Sequence, residues 1–220
     1  MFISFEGPEG AGKTAAIEAL KLRYPEFVYT REPGGIELAE KIRNVILHPE
    51  HTNMHPHTEA LLYAAARAQH FYEKIEPALT AGNIVVCDRF IDSSLAYQGY
   101  ARGIAPDAIR QINTFAIGER LPDYTIYLDV PAELGLARIA RNERETNRLD
   151  RESISFHRKV CEGYKLLIEQ ERARFFVIDA TQSKQSVTED IEAVLTVILE
   201  KRKTSLSCAI TAALRSGIQR

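Results

Sequence analysis

The sequence predicts an α/β fold in which a five-stranded parallel sheet is flanked by helices on both faces. Short runs that are apolar almost throughout are typical of parallel strands covered on both faces. Longer segments with helical periodicity separate these runs, and this alternation indicates crossover units that join parallel strands. The five predicted strands are Phe2–Glu6, Phe27–Arg31, Ile84–Asp88, Thr125–Asp129 and Phe175–Asp179.

The segments between and after these strands carry the spacing of apolar residues that predicts helices. They are Lys13–Arg23, Glu37–Leu47, Thr58–Thr80, Asp92–Tyr100, Pro106–Gly118, Ala132–Asn142, Ser153–Arg174 and Ser186–Lys203. Since no linker, internal repeat or low-complexity tract interrupts the pattern, residues 1–203 are predicted to form one domain. Residues 204–220 follow a charged helix end and are either a packed extra helix or a frayed tail, with no function assigned.

Composition excludes several classes of protein. The chain has 220 residues, and its 28 Lys and Arg against 30 Asp and Glu give a formal net charge of -2. This balance gives no bulk electrostatic reason to expect a nucleic-acid partner. No apolar run approaches the roughly 20 residues of a membrane span, so no membrane partner is expected. The scattered Cys87, Cys161 and Cys208 argue against a disulfide framework and predict a cytoplasmic protein.

A phosphate-binding loop is predicted directly after the first strand. The segment fits G-x-x-x-x-G-K-[ST] between a strand and a helix, the context that this motif requires. Glycines let backbone N–H groups turn inward around a phosphate at the helix N-terminus. A plain glycine-rich turn is the alternative, but the context favours a nucleoside triphosphate site. The predicted ATP-binding residues are Gly7, Pro8, Glu9, Gly10, Ala11, Gly12, Lys13 and Thr14.

A metal site is predicted next to this loop. The Thr14 hydroxyl is expected to ligate Mg²⁺, and Asp88, at the end of the third strand, could hold the ion through its water shell. A solvated Asp at a strand end is the alternative, which the neighbouring phosphate loop makes less favoured. Arg89 is a candidate bidentate phosphate ligand.

The class of phosphate-loop protein follows from which motifs accompany the loop. Neither the D-x-x-G switch nor the N-K-x-D base-reading motif of GTPases occurs in the chain. A motor ATPase would usually be larger. The several internal arginine motifs favour a kinase that acts on a small phosphorylated acceptor.

Three longer motifs closely resemble those of the thymidylate kinase family, bacterial type. They are TREPGG at 30–35, EALLYAAARAQH at 59–70 and DRFIDSSLAYQG at 88–99, and the resemblance runs from Met1 to about Lys203. It implies a P-loop kinase fold, transfer of the ATP γ-phosphoryl group to dTMP with Mg²⁺, and a homodimer. Another small-acceptor P-loop kinase and a non-catalytic ATP-binding regulator remain alternatives.

The resemblance also assigns the acceptor site. It implies that Arg43 and Arg89 hold the acceptor phosphate, and that the ring face of Tyr63 stacks on the base while Arg67 donates to it. Tyr63 and Arg67 are spaced i, i+4, which also fits an aromatic core stripe with an arginine at its wet end. Tyr97 would exclude a ribose hydroxyl. The substrate-binding residues implied are Glu32, Arg43, Tyr63, Arg67, Asp88, Arg89, Ser94, Tyr97 and Gln98.

The charge-dense segment 141–151 is by resemblance a lid that closes over ATP, although a solvated loop is the plain alternative. Because the phosphate loop carries Pro8-Glu9 where one branch of the family has a basic residue, the lid is expected to supply the missing arginine. Arg144 and Arg148 are favoured, with Arg141 next. The catalytic residues predicted are Lys13, Arg89, Arg144, Arg148 and Glu9.

A histidine-rich segment precedes the third predicted helix. Imidazoles bind Zn²⁺, but neither a cysteine nor ordered helical spacing accompanies them, so a solvated connector is the prediction. The histidines are His48, His51, His55 and His57.

Overall fold

The computed structural model describes residues 1–141 and 146–217, and side chains up to residue 204 within these ranges. One parallel sheet forms its centre, in the order β2-β3-β1-β4-β5. The strand bounds lie within one residue of those predicted. The strands are β1 Phe2–Glu6, β2 Val28–Arg31, β3 Val85–Asp88, β4 Tyr124–Asp129 and β5 Phe175–Asp179.

Helices connect and follow the strands. None of those within the described ranges combines the length and the apolar character needed to cross a membrane. The α-helices are α1 Lys13–Arg23, α2 Glu37–Leu47, α3 Pro56–His70, α4 Glu76–Thr80, α5 Ile91–Ser94, α6 Pro106–Ile117, α7 Ala132–Arg141, α8 Ile154–Gln170 and α9 Lys184–Gly217.

Both faces of the sheet are covered, as the unbroken apolar strands predicted. Phe2 pairs in register with Val85, and both point into the core that α3, α6 and α8 share. The next pair, Ile3 and Val86, points to the opposite face, where α1 and α9 pack. Successive strand residues alternate between the faces, so each strand must be apolar at nearly every position. The predicted fold class is confirmed.

Two of the predicted helices contain a wide π-helical turn. The turn Phe71–Ile75 separates α3 from α4, and Leu95–Ala101 follows α5. Pro77 lies just after the first turn and has no N–H for the carbonyl four residues earlier, so a regular helix would be broken there. Apolar spacing does not distinguish a π turn from a continuous α-helix, and each segment was therefore predicted as one helix.

The ends of several helices differ from the prediction: α8 ends at Gln170 instead of Arg174, and the ends of α3 and α9 also differ. Helix α3 begins at Pro56 because Pro is favoured in the first turn and the His55 ring accepts a hydrogen bond from His57 N at 3.2 Å. Helix α9 continues to Gly217 instead of ending at Lys203. No proline or glycine interrupts the chain between Lys203 and Gly217, so no helix-breaking residue ends the helix at Lys203. The backbone is therefore a continuous helix across the boundary predicted after residue 203.

Candidate active site

A cavity of about 1100 Å³ opens at the carboxyl edge of the sheet. Parallel sheets bind ligands at this edge, next to the strand where the chain reverses its direction across the sheet. Here that strand is β1, which lies between β3 and β4. Side chains that follow β2 and β3 line the cavity on one side of β1, and residues 180–188 after β5 line it on the other. The cavity therefore extends to both sides of the phosphate loop.

The phosphate loop has the backbone that its glycines predicted. Gly12 has φ 94° and Gly10 has φ 73°, both in the left-handed region that favours glycine. A Cβ atom on Gly10 would lie 2.0 Å from the Gly135 carbonyl oxygen, so the loop also needs this glycine to pack against α7. Gly12 is the N-cap of α1, which aims the N-terminus of that helix at the cavity.

Lys13 is held inside the loop. Its ammonium group donates to the carbonyl oxygens of Gly7 at 2.9 Å and Pro8 at 3.0 Å, and the residue is buried. Burial, followed by the positive charge of Arg89, lowers the pKa of Lys13 to about 8. An anion bound in the loop would stabilise the charged form of Lys13.

The Thr14 and Asp88 pair fits a Mg²⁺ site. The Thr14 hydroxyl donates to Asp88 Oδ2 at 3.4 Å. The other carboxylate oxygen, Asp88 Oδ1, is buried and has no hydrogen-bond partner in the part of the chain that the structure describes. Buried polar atoms rarely stay unsatisfied, and carboxylate and hydroxyl oxygens are ligands that Mg²⁺ prefers. No cluster of three or more acidic, His or Cys ligands occurs among the described residues.

Arg89 has an unusual backbone conformation, with φ 70°. Its guanidinium Nη1 donates to Gly7 O and Ser93 Oγ, both at 3.1 Å, and Nη2 donates to Glu9 Oε1 at 2.7 Å. The Tyr97 ring lies beneath the guanidinium, 5.1 Å from Cζ to the ring centre. The structure therefore brings the predicted Glu9, Arg89 and Tyr97 together beside the phosphate loop.

The Glu6 carboxylate accepts hydrogen bonds from the residues around Arg89 and so stabilises this part of the site. It is fully buried, and the donors are Phe90 N at 2.7 Å, Ser93 Oγ at 2.6 Å and Tyr164 OH at 2.8 Å. Burial, followed by the charge of Asp92, raises the pKa of Glu6 to about 7. The bond to Phe90 N fixes the residue next to Arg89. Glu6 was not predicted as a site residue, since its only signal in the sequence was an acid in an apolar strand.

The predicted acceptor arginine, Arg43, also lines the cavity. Its Nη1 donates to Pro33 O at 2.8 Å. Burial lowers the pKa of Arg43, and the positive charges of Arg31 and Arg89 contribute in the same direction. Three guanidinium groups that repel one another around a cavity favour an anion between them.

Glu32 and Tyr63 line the cavity, whereas Arg67 is not among the described residues that do. Arg67 is 2% exposed and donates through Nε to Glu32 Oε2 at 2.7 Å and through Nη1 to Asn113. His70 Nδ1 lies 3.0 Å from the other Glu32 oxygen. Arg67 thus supports the cavity wall from behind, and its contact with a base stays a prediction.

Ser94, Tyr97 and Gln98, three of the predicted substrate-binding residues, line the cavity. Each is nearly fully buried. They lie on α5 and the π-helical turn that follows it, so one short segment presents all three. The Ser94 hydroxyl is buried and meets no hydrogen-bond partner within residues 1–141 and 146–217.

The lid arginines are placed differently from one another. Arg144 lies outside the described residues. Arg148 is buried away from the cavity, where it donates to Ile46 O at 2.8 Å and Glu59 Oε2 at 2.6 Å. The fully buried Glu59 carboxylate needs such a partner, which explains this position. Arg141 does line the cavity, and so does Arg138 one turn earlier on α7.

Other lining residues were also missed. Gln182 and Lys184 follow β5, and the general rule that ligands lie beyond the carboxyl ends of strands was the available signal. Ser93 and Tyr164 contact Arg89 Nη1 at 3.1 and 3.4 Å. Tyr164 comes from α8, distant in the chain, and no local pattern distinguished it from a core tyrosine.

Comparisons with known proteins agree with this geometry. The family described as thymidylate kinase matches residues 5–191. A thymidylate kinase of Bacillus pumilus is 54% identical over 208 residues, which cover 92% of this chain and 98% of that protein. One of Geobacillus sp. is 57% identical over 191 residues, covering 84% and 91%. The crystal structure of thymidylate kinase from Ehrlichia chaffeensis superposes with a TM-score of 0.70 at 33% identity, covering 89% and 98%.

Proposed function

The chain belongs to the thymidylate kinase family, and from this premise we propose that it transfers the γ-phosphoryl group of ATP to dTMP, giving ADP and dTDP. One observation carries the assignment of the two substrates to the site. A single cavity is lined both by residues 9–14 of the phosphate loop and by a separate group of arginines around Arg43. A nucleoside triphosphate fits the first position and a phosphate monoester fits the second.

The two positions share one residue, Arg89. Arg89 donates to Gly7 O of the phosphate loop. It also lies near Arg43, because its positive charge contributes to lowering the pKa of Arg43. We assign to Arg89 the role of a bridge between the acceptor phosphate and the transferring group. Phosphoryl transfer depends almost entirely on positioning and electrostatic stabilisation, which a fixed guanidinium provides.

Mg²⁺ is the cofactor that we propose, held by Thr14 and Asp88. When bound, it neutralises charge on the β- and γ-phosphate oxygens. The buried and unpartnered Asp88 Oδ1, within the described part of the chain, supports this assignment. Lys13 would contact the terminal phosphates of the same nucleotide.

The acceptor base is assigned to the pocket that Tyr63, Ser94, Tyr97 and Gln98 line. The Tyr63 ring would stack on the pyrimidine, and the Ser94 hydroxyl and the Gln98 amide would read its polar edge. Tyr97, fixed between Arg89 and Glu9, would occupy the space of a ribose 2′-hydroxyl. Arg138 on α7 and Arg141, the first residue of the predicted lid, line the cavity and would add positive charge there, and the catalytic roles of Arg144 and Arg148 stay predictions.

A panel of acceptors tests the proposed function. We expect ADP release from ATP and Mg²⁺ to be fastest with dTMP. Turnover with dUMP should be slower, since loss of one methyl contact is worth about 1–3 kcal/mol. AMP should give only background release, and EDTA should abolish turnover with every acceptor. Faster turnover of AMP than of dTMP would contradict the acceptor assignment, and no turnover with any acceptor would favour a non-catalytic regulator.

We also propose a homodimer that forms through α2, α3 and α6. These three helices pack side by side, and each exposes large apolar side chains. Such a patch marks an interaction surface. A second copy of the chain is the occupant that the resemblance to the family implied. The exposed residues are Leu38, Val45, Leu61, Tyr72 and Phe115.

Phe115 tests this dimer. It is 94% exposed, so a charge there costs little in the folded monomer. We expect Phe115→Glu to convert the dimer to a monomer in sedimentation velocity, because an unpaired charge would be buried at the interface. Leu22→Glu on α1 is the matched control, since Leu22 is 88% exposed on a helix outside the proposed interface. An unchanged sedimentation coefficient for Phe115→Glu would place the interface elsewhere.

A cytoplasmic location is proposed as well. Cys87 is a buried free thiol and Cys161 is a half-buried one. Free thiols of this kind fit a reducing compartment.

A further inference from the structure

Glu59 lies behind the acceptor pocket, at the first turn of α3, and is fully buried. Its Oε1 accepts from the Gln98 amide nitrogen at 2.8 Å and from Arg102 Nε at 3.3 Å. Its Oε2 accepts from Arg148 Nη2 at 2.6 Å and from Arg102 Nη2 at 3.1 Å. Two arginines therefore fix the carboxylate, and the carboxylate in turn holds the side chain of Gln98.

The charge of Glu59 decides which end of the Gln98 amide faces it. Burial alone would raise the pKa of Glu59, but Arg102, the Gln98 amide and Arg148 outweigh it and keep the pKa below the ordinary value. An ionised carboxylate accepts hydrogen bonds and donates none. The Gln98 NH₂ group must therefore face Glu59.

The carbonyl oxygen of Gln98 is then left for the ligand. Gln98 lines the cavity, and no donor among the described residues reaches its Oε1. Ser94, four residues earlier, presents a buried hydroxyl that also has no partner in those residues. A hydroxyl rotates and serves as donor or acceptor, whereas the Gln98 carbonyl only accepts. Selectivity between pyrimidines therefore depends on Gln98.

We propose that Glu59 is a positioning residue that makes this kinase select pyrimidines with an N3–H donor. Thymine and uracil carry that donor, whereas cytosine presents an N3 acceptor, which would face the Gln98 carbonyl oxygen unpaired. The inference rests on the proposed function, in that the acceptor base is assigned to the pocket at Gln98. The new element is that the charge of Glu59, which does not line the pocket, determines whether Gln98 presents a hydrogen-bond acceptor or a donor to the base.

Glu59→Gln is the decisive variant because the two sides of the new amide are not equivalent. The Oε2 position faces two arginine nitrogens, Nη2 of Arg148 and of Arg102, whereas the Oε1 position faces one, Arg102 Nε at the longer distance of 3.3 Å, so the amide oxygen will occupy Oε2. The new NH₂ then faces Gln98, which must turn its carbonyl toward residue 59 and its NH₂ toward the cavity. Gln98 would donate to the base, which matches cytosine and opposes thymine.

The measurement is kcat/KM for dTMP and for dCMP with ATP and Mg²⁺. We expect the ratio of dTMP to dCMP to fall by about tenfold or more in Glu59→Gln, through loss for dTMP and gain for dCMP. Glu152→Gln is the matched control. Glu152 also pairs with Arg102, at 2.5 Å, but does not contact Gln98, so its ratio should match the wild type.

Two further measurements distinguish a failure of the proposed acceptor site from a failure of the role proposed for Glu59. If Gln98→Ala leaves kcat/KM for dTMP unchanged, the base is not bound at Gln98 and the proposed acceptor site fails. If Gln98→Ala lowers it but Glu59→Gln keeps the wild-type ratio, the role of Glu59 alone is overturned, and Glu59 is only structural. Should Glu59→Gln not fold, neutron diffraction of the wild type decides: deuterium on the Gln98 atom facing Glu59 supports the inference, and an oxygen there overturns it.

Discussion

Arg89→Ala is expected to lower kcat by about 10³- to 10⁵-fold, the range over which a supplied arginine contributes in related phosphoryl transfer. The expectation follows from the position of Arg89 between the phosphate loop and the Arg43 side of the cavity. Without it, the acceptor phosphate and the γ-phosphoryl group would repel each other with no fixed positive charge between them. Steady-state ADP release, compared at saturating ATP and dTMP, measures the loss.

The decisive property of Arg89 is its planar fork. It donates to Gly7 O, Ser93 and Glu9 from two different nitrogens, which a lysine cannot do. Arg89→Lys should therefore recover little of the lost rate. Arg158→Ala is the matched control, because Arg158 is an exposed arginine whose carboxylate partner is Glu133 on α7. An Arg89→Ala protein that folds and keeps a rate within tenfold of the wild type would contradict the bridging role.

The site residues that the strand pattern predicts, apart from those that only the family resemblance implies, directly follow strands. The carboxyl ends of parallel strands meet at one edge whatever the rest of the chain does. The loop after β1 and the Asp88-Arg89 pair after β3 therefore came together as expected, because β1 and β3 are neighbours. Here local sequence order was enough to predict tertiary proximity.

The remaining residues depend on contacts that local patterns do not contain. The resemblance to the family predicted that Arg148 acts on the transferring phosphoryl group. In the structure Arg148 donates to Glu59, which is 89 residues away and was predicted as part of a helix without a site role. Glu6 and Tyr164 are similar, since their contact spans 158 residues. A buried charge is satisfied by whatever the fold brings near, so periodicity does not predict its partner.

The same distinction applies to the fold. Each strand was predicted to within one residue because burial on both faces constrains every position of a parallel strand. The predicted end of α9 was wrong because the charged residues before Lys203 were taken as a helix end, whereas no helix-breaking residue follows them until Gly217. The wide turns in two helices alter hydrogen bonding without altering which residues are apolar, so they too escaped prediction.

Lys13→Met is expected to lower kcat by about 10²- to 10³-fold, the cost of removing one well-placed donor from a site of developing negative charge. Methionine resembles the lysine stem in length, so the loop should keep its packing. The cost of burying the ammonium group, visible in its lowered pKa, would disappear with the charge. The hydrogen bonds to Gly7 O and Pro8 O would also be lost. Removal of the burial cost raises the stability and loss of the two hydrogen bonds lowers it. The thermal stability without ligands should therefore change little.

The Lys13→Met variant should therefore lose activity while keeping its thermal stability. Isothermal titration calorimetry should show weakened ATP binding, because the anion in the loop loses the charge that approaches its terminal phosphates. Lys21→Met is the control. Lys21 lies on the same helix but is exposed and pairs with Glu18 at 2.6 Å, so both ATP affinity and kcat should stay at wild-type values. Wild-type ATP affinity and turnover in Lys13→Met would show that the backbone amides alone hold the nucleotide, and that the lysine contributes only to the structure of the loop.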